Sequence, residues 1–452
     1  MNNKCFHRCL FAFSGCCLIL LLAACGSGGG KPVTTPTTTG NSPTPGNGTV
    51  TPPATATALP PTQTSCPAAG TARAAVMPPV TLGTHQNIVY SVDEYRGNEG
   101  GVKRPSFGTL KRYDVATGQK TEIVKMPGVE ISDAQVSADG QWLLFAATDG
   151  KQAKLQLIRM DGKELQTLYC TQPSGSFIGD VQWSFDQKRV VFRSQVNDMD
   201  TLYLLNVQDG SLQTELSGTR LPSVLTWLDN TRLYLENPGI DAPPTDLYLL
   251  DTGSGAPQSV ANLEPVFQTG ATVFCWDAAS SIDGTHLFIS QCTSDIERGS
   301  SPSAYPSHGP STITIRPATG GSPQTIFASS SLGIRAVRVI NQTSLLLLVK
   351  SRGPHVDTSQ NGLWMVNMSG MGLTSLSRDS AGLDSSLNHN NQYPWSNVSR
   401  DGSLYSMQSE LFTPPGTLTY TLLAGSLQGG SPTVFASISD GTRLDLVGWT
   451  TM

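Results

Sequence analysis

One local pattern recurs along this chain and restricts its fold more than any other feature. Residues 133–169 read DAQVSADGQWLLFAATDGKQAKLQLIRMDGKELQTLY. Short apolar runs alternate with Asp139-Gly140 and Asp161-Gly162. Asp-Gly between apolar runs is a strong hairpin signal, because the tight turn needs residues with positive φ. The segment therefore reads as four short strands joined by turns. Residues 180–216 repeat it, and later copies begin near residues 224, 273, 337 and 394. The turns at Asp139, Asp186, Asp229, Asp283, Asn341 and Asp401 stand 43 to 60 residues apart. Four strands per repeat at that period denote the blades of a β-propeller.

The phrases QWSFDQKRVVF (182–192) and YLLNVQDG (203–210) resemble the TolB-like, or WD40-like, propeller repeat. Its consensus runs close to W-S-P-D-G-K-x-I-A-F, followed by an I-Y-V-x-D strand. The resemblance is good over residues 132–250 and looser after 270. It implies an all-β architecture and carries no partner with it.

Six repeats start near 132, 179, 222, 272, 335 and 392. Ahead of them stand three strands without an inner one: NIVYSV (87–92), LKRYDVATG (110–118) and KTEIVKM (120–126). The last residues, RLDLVGWTTM (443–452), contain VGWT, which matches the VQWS at 181. The C-terminal strand then completes the first blade. The expectation is an all-β, seven-bladed propeller of four-stranded antiparallel blades, with six or eight blades as alternatives. Closure of this kind removes exposed sheet edges. Trp183, Trp227, Trp276, Trp395 and Trp449 are expected at the ends of inner strands, packing between blades.

The N-terminus is of another kind. Lys4 and Arg8 precede the apolar run LFAFSGCCLILLL (10–22). A membrane-spanning helix needs about 20 apolar residues, so the run suits a signal peptide. Leu22-Ala23-Ala24-Cys25 resembles the lipobox of bacterial lipoproteins. The resemblance implies cleavage before Cys25, lipidation of its sulfur and acylation of the new N-terminus. Stable anchoring takes two lipid signals, which such a cysteine carries. Residues 26–65 are almost entirely Gly, Ser, Thr, Pro, Ala and Asn, too poor in apolar surface to offset ordering entropy. As extended polyproline II this tract spans on the order of 100 Å. The domains expected are a lipoprotein signal peptide over 1–24, the lipidated cysteine and linker over 25–80, and a propeller over 81–452. The location implied is extracytoplasmic, anchored to the cell membrane, or to the outer membrane where there are two.

Of nine cysteines, four lie in the signal peptide and Cys25 takes the lipid. Cys66, Cys170, Cys275 and Cys292 remain, an even number in an oxidising compartment. Cys275 and Cys292 are equidistant from the Asp283-Gly284 turn, which sets them opposite each other in a hairpin. They are a candidate cross-strand disulfide, the alternative being two buried thiols. A Cys66–Cys170 bridge would pin the linker to the head. No CxxC occurs among the four, so no zinc site is expected.

Charged residues make up 14% of the chain and the net charge is −5. No Lys/Arg cluster forms, which argues against a nucleic-acid partner. There is no GxSxG elbow, no HExxH and no P-loop, so no enzyme activity and no cofactor are expected. Long loops on a rigid scaffold usually carry binding residues. Residues 93–108 hold Tyr95, Arg96, Arg104 and Phe107. Residues 293–311 hold Arg298, Tyr305 and His308. Residues 350–362 hold Arg352, His355 and Asp357, and residues 377–395 hold His389 and Tyr393. All are expected on one face. Aromatic and Arg side chains favour interfaces. His308, His355 and His389 do not by themselves define a metal site, and none is assigned. The function expected is a lipoprotein whose propeller binds a protein or an envelope polysaccharide. The alternatives are a carboxylate-dependent hydrolase or lyase working in the funnel, and a scaffold subunit of an envelope complex.

Overall fold

The repeat begins with a turn that the sequence wires in advance. In Ser137-x-Asp139, Ser184-x-Asp186, Ser281-x-Asp283 and Ser399-x-Asp401, the serine hydroxyl donates to the aspartate at 2.5, 2.6, 2.6 and 2.6 Å. The same oxygens accept the amides of Trp142, Arg189, His286 and Leu404. Side-chain bonds of this kind favour turns over strands. Gly140 sits at φ 75 and Gly402 at φ 72, where a side chain would be strained. In the second copy that place is held by Gln187 at φ 57.

The computed structural model describes residues 63–452 apart from 97–103, 173–176, 238–246, 268–273, 295–306, 353–355, 380–382, 389–392, 414–416 and 440–441. The described residues all fall in the unit that begins at Leu59. Blade 1 holds β1 (Gln86–Arg96), β2 (Arg104–Asp114) and β3 (Lys120–Pro127). Blade 2 is β4 (Glu130–Val136), β5 (Trp142–Thr148), β6 (Ala153–Arg159) and β7 (Gln166–Cys170). Blade 3 is β8 (Phe177–Trp183), β9 (Arg189–Val196), β10 (Met199–Asn206) and β11 (Leu212–Gly218). Blade 4 is β12 (Ser223–Trp227), β13 (Arg232–Glu236), β14 (Leu247–Asp251) and β15 (Glu264–Phe267). Blade 5 is β16 (Phe274–Ser280), β17 (His286–Ser294), β18 (Ser307–Pro317) and β19 (Gln324–Ser329). Blade 6 is β20 (Ile334–Val339), β21 (Ser344–Val349), β22 (Gly362–Asn367) and β23 (Thr374–Ser375). Blade 7 is β24 (Leu383–Ser386), β25 (Leu404–Thr413), β26 (Thr417–Ser426) and β27 (Thr433–Ile438). The last strand, β28 (Arg443–Thr451), pairs with β1 and supplies the inner strand of blade 1. Seven four-stranded antiparallel sheets result, with the first blade closed by the end of the chain.

The core is divided among the blade interfaces. Blades 1 and 2 meet through Val89, Ile131 and Phe145. Trp142 and Trp183 pack between blades 2 and 3, Val191 and Trp227 between 3 and 4, and Tyr234 and Leu287 between 4 and 5. Phe288 and Val337 join blades 5 and 6, and Leu346 and Tyr405 join 6 and 7. Leu422, Phe435 and Trp449 join blade 7 to blade 1. Each interface buries apolar surface on both sides, so the ring is held all round.

Blade 7 departs from the sequence reading. Its inner strand is Leu383–Ser386, upstream of the PWSN that suggested it. Pro394–Asn397 instead forms a one-turn helix, α1, inside the link between first and second strands. Trp395 therefore ends no inner strand, and Trp276 is the third residue of β16. Trp183 and Trp227 do end theirs, and Trp449 lies near the end of β28.

The link from blade 7 reaches across the ring. Tyr393 donates to the Trp183 carbonyl. Trp395 donates to Val136 O at 2.9 Å, and Arg400 to Trp449 O, Ala138 O and Ser137 O at 2.7, 2.6 and 2.9 Å. These carbonyls lie at the ends of the inner strands of blades 1, 2 and 3 or in the turns that follow. The link covers the end of the central channel where the Ser-x-Asp turns stand.

Both disulfides are present. Cys275 and Cys292 are directly opposite on β16 and β17, with Cα atoms 5.0 Å apart. Cys66 joins Cys170, Cα atoms 5.7 Å apart. The chain is already against the propeller from Gln63. Gln63 pairs with Gln166, Arg73 donates to Gln63 O and Thr167 O, and Val76 exchanges bonds with the Gln166 amide. The composition alone extends the linker to residue 80.

Candidate functional site

At the other end of the channel, the inner strands begin and the second strands finish. Here the ring is irregular for a local reason. Five inner strands break register against their second strands, at Asp133–Ala134, Asp180–Val181, Leu225, Arg335 and Val447. A bulge leaves a residue unpaired and re-aims its side chain. Asp133 and Asp180 adopt φ 45 and φ 55 there.

The carboxylates at this mouth tie one blade to the next. Asp93 Oδ1 accepts from Ile131 N at 2.9 Å, Asp180 Oδ2 from Val224 N at 3.2 Å, and Asp277 Oδ2 from Val337 N at 2.9 Å. Asp133 accepts from the Asp180 amide. Burial pushes Asp93 up to about 7, helped by the charges of Glu130 and Asp445. Burial and the Asp180 charge do the same for Asp133, and burial and the Asp277 charge for Glu236, both to about 7. Asp180 and Asp445 are also raised, chiefly by burial. Blades 1 to 4 thus present an acidic arc, much of it protonated near neutrality.

Cations stand opposite, on blade 6. Arg338 pairs with Asp277 and donates to Asn388 O at 3.3 Å. Lys350 and Arg352, just past β21, both pair with Asp384 of β24. Arg335, the bulge residue of β20, is exposed. Burial, followed by the charges of Arg352 and Arg335, brings the Lys350 ammonium down to about 7. Burial and Arg335 lower Arg352 as well.

The two arcs meet in a pocket of about 310 Å³ between blades 7 and 1. Lys350, Asp384, Gln408, Glu410, Tyr420 and Arg443 line it, with Asp445 and Asn388 beside them. Arg443 pairs with Asp445 at 2.8 Å and reaches Glu130 at 3.9 Å. The volume is at the lower end of the range for small-ligand sites. Planar amides, carboxylates and guanidinium groups dominate it, with the Tyr420 ring on one wall. Such a lining hydrogen-bonds and neutralises charge; it offers little to an apolar ligand. Among the described residues no group of three His, Cys, Asp or Glu side chains is placed to hold a metal ion.

Among the described residues, those singled out from sequence do not converge on this pocket. Arg352 stands beside it, through Asp384. Tyr95 is near Glu130 and Asp93, within the acidic arc. Phe107 is on β2 beneath the Lys125 ammonium, 4.2 Å from the ring centroid. His308 turns Nδ1 to Gly309 O at 2.6 Å, and Asp357 is exposed, accepting from Ser359 N. Tyr393 is a correction: it is 5% exposed, stacked on Trp395 at the closed end, because the inner strand of blade 7 precedes it. Arg96 and Arg104 lie within β1 and β2, their side chains outside the described residues. Arg298, Tyr305, His355 and His389 also fall outside them. The sequence reading passes over Arg335, Glu410 and Arg443, which look like ordinary strand residues, and over Lys350 and Asp384 within the long loops it does name. The one available signal is a charge in an otherwise apolar inner strand, as in IRAVRV (334–339) and RLDLVGW (443–449).

Neither a protein-family model nor a curated protein matches the chain. Several solved structures are similar. An oligogalacturonate lyase in complex with manganese shares 13% identity at a TM-score of 0.48, over 79% of this chain and 96% of that one. TolB from Acinetobacter baumannii shares 12% at 0.42, over 80% and 82%. The β-propeller domain of the Trilobed protease from Pyrococcus furiosus shares 10% at 0.46, over 81% and 96%. These similarities concern architecture, which the strand pairing fixes independently.

Proposed function

We propose that this chain is a lipid-anchored, extracytoplasmic binding protein. Its propeller takes the polar end of an envelope polysaccharide or a protein segment at the open mouth of the channel. The observation that carries this reading is the charged and amide-lined pocket between blades 7 and 1, at the channel end that the blade 7 link does not cover. The lipobox-like Leu22-Ala23-Ala24-Cys25 and the Thr/Pro-rich tract behind it support the anchor and its reach. Binding of the full chain to arrayed glycans and peptides tests the first part. Glu410→Gln and Gln408→Ala should each weaken the selected ligand about tenfold, the value of one lost charged or bidentate hydrogen bond. Unchanged binding in both would remove the pocket from consideration. Cys25→Ser should release the protein from the membrane fraction into the supernatant; retention would remove the anchor.

A carboxylate-dependent hydrolase or lyase is the second reading. What favours it is the set of three carboxyl groups, Asp93, Asp133 and Glu236, held near 7 at the mouth. Acids poised there can transfer protons at neutral pH. Release of reducing or unsaturated ends from envelope polysaccharide, lost in Glu236→Gln, would support it. Intact polysaccharide after long incubation would dismiss it.

A further inference from the structure

We infer that the pocket between blades 7 and 1 seats an uncharged pyranose, the neutral terminal sugar of a glycan, and discriminates against acidic and amino sugars. This rests on the binding reading above and names its ligand class.

Strand register builds the lining. Asp384 on β24 stands directly opposite Glu410 on β25, which stands opposite Tyr420 on β26. Ser386 and Gln408 form the neighbouring pair on the same face, two residues along. Residues directly opposite have Cβ atoms about 5 Å apart, so blade 7 gathers carboxyl, amide, hydroxyl and phenol groups in one compact patch. Arg443, Asp445 and Leu446 of β28 close the pocket from blade 1, and Lys350 closes it from blade 6.

The charges of this lining answer one another. Lys350 pairs with Asp384, and Arg443 with Asp445 at 2.8 Å. Arg352, beside the pocket, shares Asp384, and Glu410 acts on both Lys350 and Arg352. Farther out, Arg335 and Asp379 add one charge of each sign, and Glu130, 3.9 Å from Arg443, bonds to Tyr95. A guest carboxylate would meet Asp384, Glu410 and Asp445, and a guest ammonium would meet Lys350 and Arg443. Either must break an ion pair to find its counter-charge, and a charge taken out of water without one is unfavourable.

A hydroxyl needs no such exchange. Each carboxylate keeps lone pairs beyond its ion pair, and the Gln408 amide both donates and accepts. Vicinal hydroxyls set donors and acceptors side by side, which matches one carboxylate or one amide. The Tyr420 ring gives an apolar face to the C–H side of a pyranose while its hydroxyl stays polar. A cavity of about 310 Å³ suits a single terminal sugar better than a run of them. The apolar members of the lining, Leu387 and Leu446, are 2% and 6% exposed, so a peptide side chain would find little apolar surface.

The test is calorimetric titration of the full chain with matched trisaccharides. Gluco, galacto, manno and N-acetylglucosamine series are each used in neutral form, with the terminal sugar oxidised to the uronate, and with it carrying a free amine. A neutral tetrapeptide is the non-sugar probe. One neutral form should bind about tenfold or more tighter than both of its charged counterparts. Its affinity should change less than about twofold between about 20 and about 300 mM sodium chloride, because no net charge enters the pocket. Glu410→Gln keeps the shape and tips the balance by one positive charge. It should weaken the neutral form about tenfold and the uronate less, narrowing the preference. Tyr420→Leu should weaken the neutral form about fivefold; a urea midpoint checks its fold, and Gln408→Ala reads the same pocket without touching the ring. Equal or tighter binding of a uronate or an amino sugar would overturn the inference and leave the binding reading standing, as would binding of the tetrapeptide alone. Neutral-sugar binding unchanged in Glu410→Gln, Tyr420→Leu and Gln408→Ala would overturn the assignment to this pocket. Binding of none of the trisaccharides would overturn the sugar class, and with no arrayed ligand either, the binding reading falls with it.

Discussion

Val191→Thr should not weaken this protein as a buried Val→Thr change ordinarily does. The reason lies in comparing two blade interfaces. Where blade 1 packs on blade 7, Trp449 Nε1 donates to Ser406 Oγ at 2.9 Å. Where blade 4 packs on blade 3, the equivalent Trp227 Nε1 is buried and has no partner. Ser406 follows the turn serine Ser399 by the same interval that separates Val191 from Ser184. Val191 is fully buried, shares a cluster with Trp227, and lies on the same face of β9 as Arg189, whose guanidinium is over the Trp227 ring. A threonine there puts a hydroxyl where the indole lacks an acceptor, at almost unchanged volume. Burying a hydroxyl without a partner costs about 1–3 kcal/mol. Leaving the indole N–H unpaired costs a similar amount, and a new bond adds about 1 kcal/mol. The terms offset, so the expected change lies between zero and about 1 kcal/mol of added stability. Val366→Thr is the control: it is fully buried in a cluster whose tryptophan, Trp364, already donates to Gln360 O. It should lose about 1–3 kcal/mol. Urea midpoints at pH 7 and a constant slope measure both. Equal losses in the two variants would refute the claim that the unpaired indole is a stability deficit.

Three further outcomes follow from the same physics. Gln187→Gly should add up to about 1 kcal/mol by relieving left-handed backbone at φ 57, read as a higher melting temperature; a drop would show that the side chain matters more than the strain. Glu215 is fully buried with both oxygens unpartnered, and burial raises it to about 7. Its contribution is intact below the unfolded pKa of 4.5 and is lost as pH rises to about 7, on the order of 1–2 kcal/mol after screening; Glu215→Gln should flatten that part of the stability curve, and an unchanged curve would rule the group out as its source. Replacing Cys66 and Cys170 together by serine removes a cross-link between residues 104 apart, worth at most about 4–5 kcal/mol. Residues 63–70 should become sensitive to protease before the blades do; cleavage elsewhere first would show that the strap does more than hold itself.

The blades were legible because their signal is local. Each Ser-x-Asp turn closes on itself within a few residues, so it reads the same in sequence and in space. The closing strand was legible for the same reason, since VGWT copies VQWS. Blade 7 misled because its inner strand, LDSS, has neither a tryptophan nor a tight turn after it. Trp395 offered a false opener six residues before a genuine Asp401-Gly402 turn, and Tyr393 was carried to the wrong end of the channel. The 93–108 loop shrank because β1 and β2 continue well into it, pairing as far as Arg96 with Arg104. The mouth was least legible. Lys350, Asp384 and Arg443 come together in one pocket through the packing of successive blades and the closure of the ring, and neither leaves a short-range mark.

The nine-residue span of β28 also sets an order of events. Val447 belongs to the interface of blades 1 and 2, while Leu444, Leu446 and Trp449 belong to that of blades 7 and 1. Two of the seven seams therefore wait for the same short strand. Until it arrives, β1 shows an unpaired edge to its surroundings, and blade 7 shows Leu422 and Phe435. During folding those surfaces stay uncovered until β28 pairs with β1. An escort that shields an open strand edge, or slow release of the final segment, would then govern the yield of closed rings more than any change in the blades themselves.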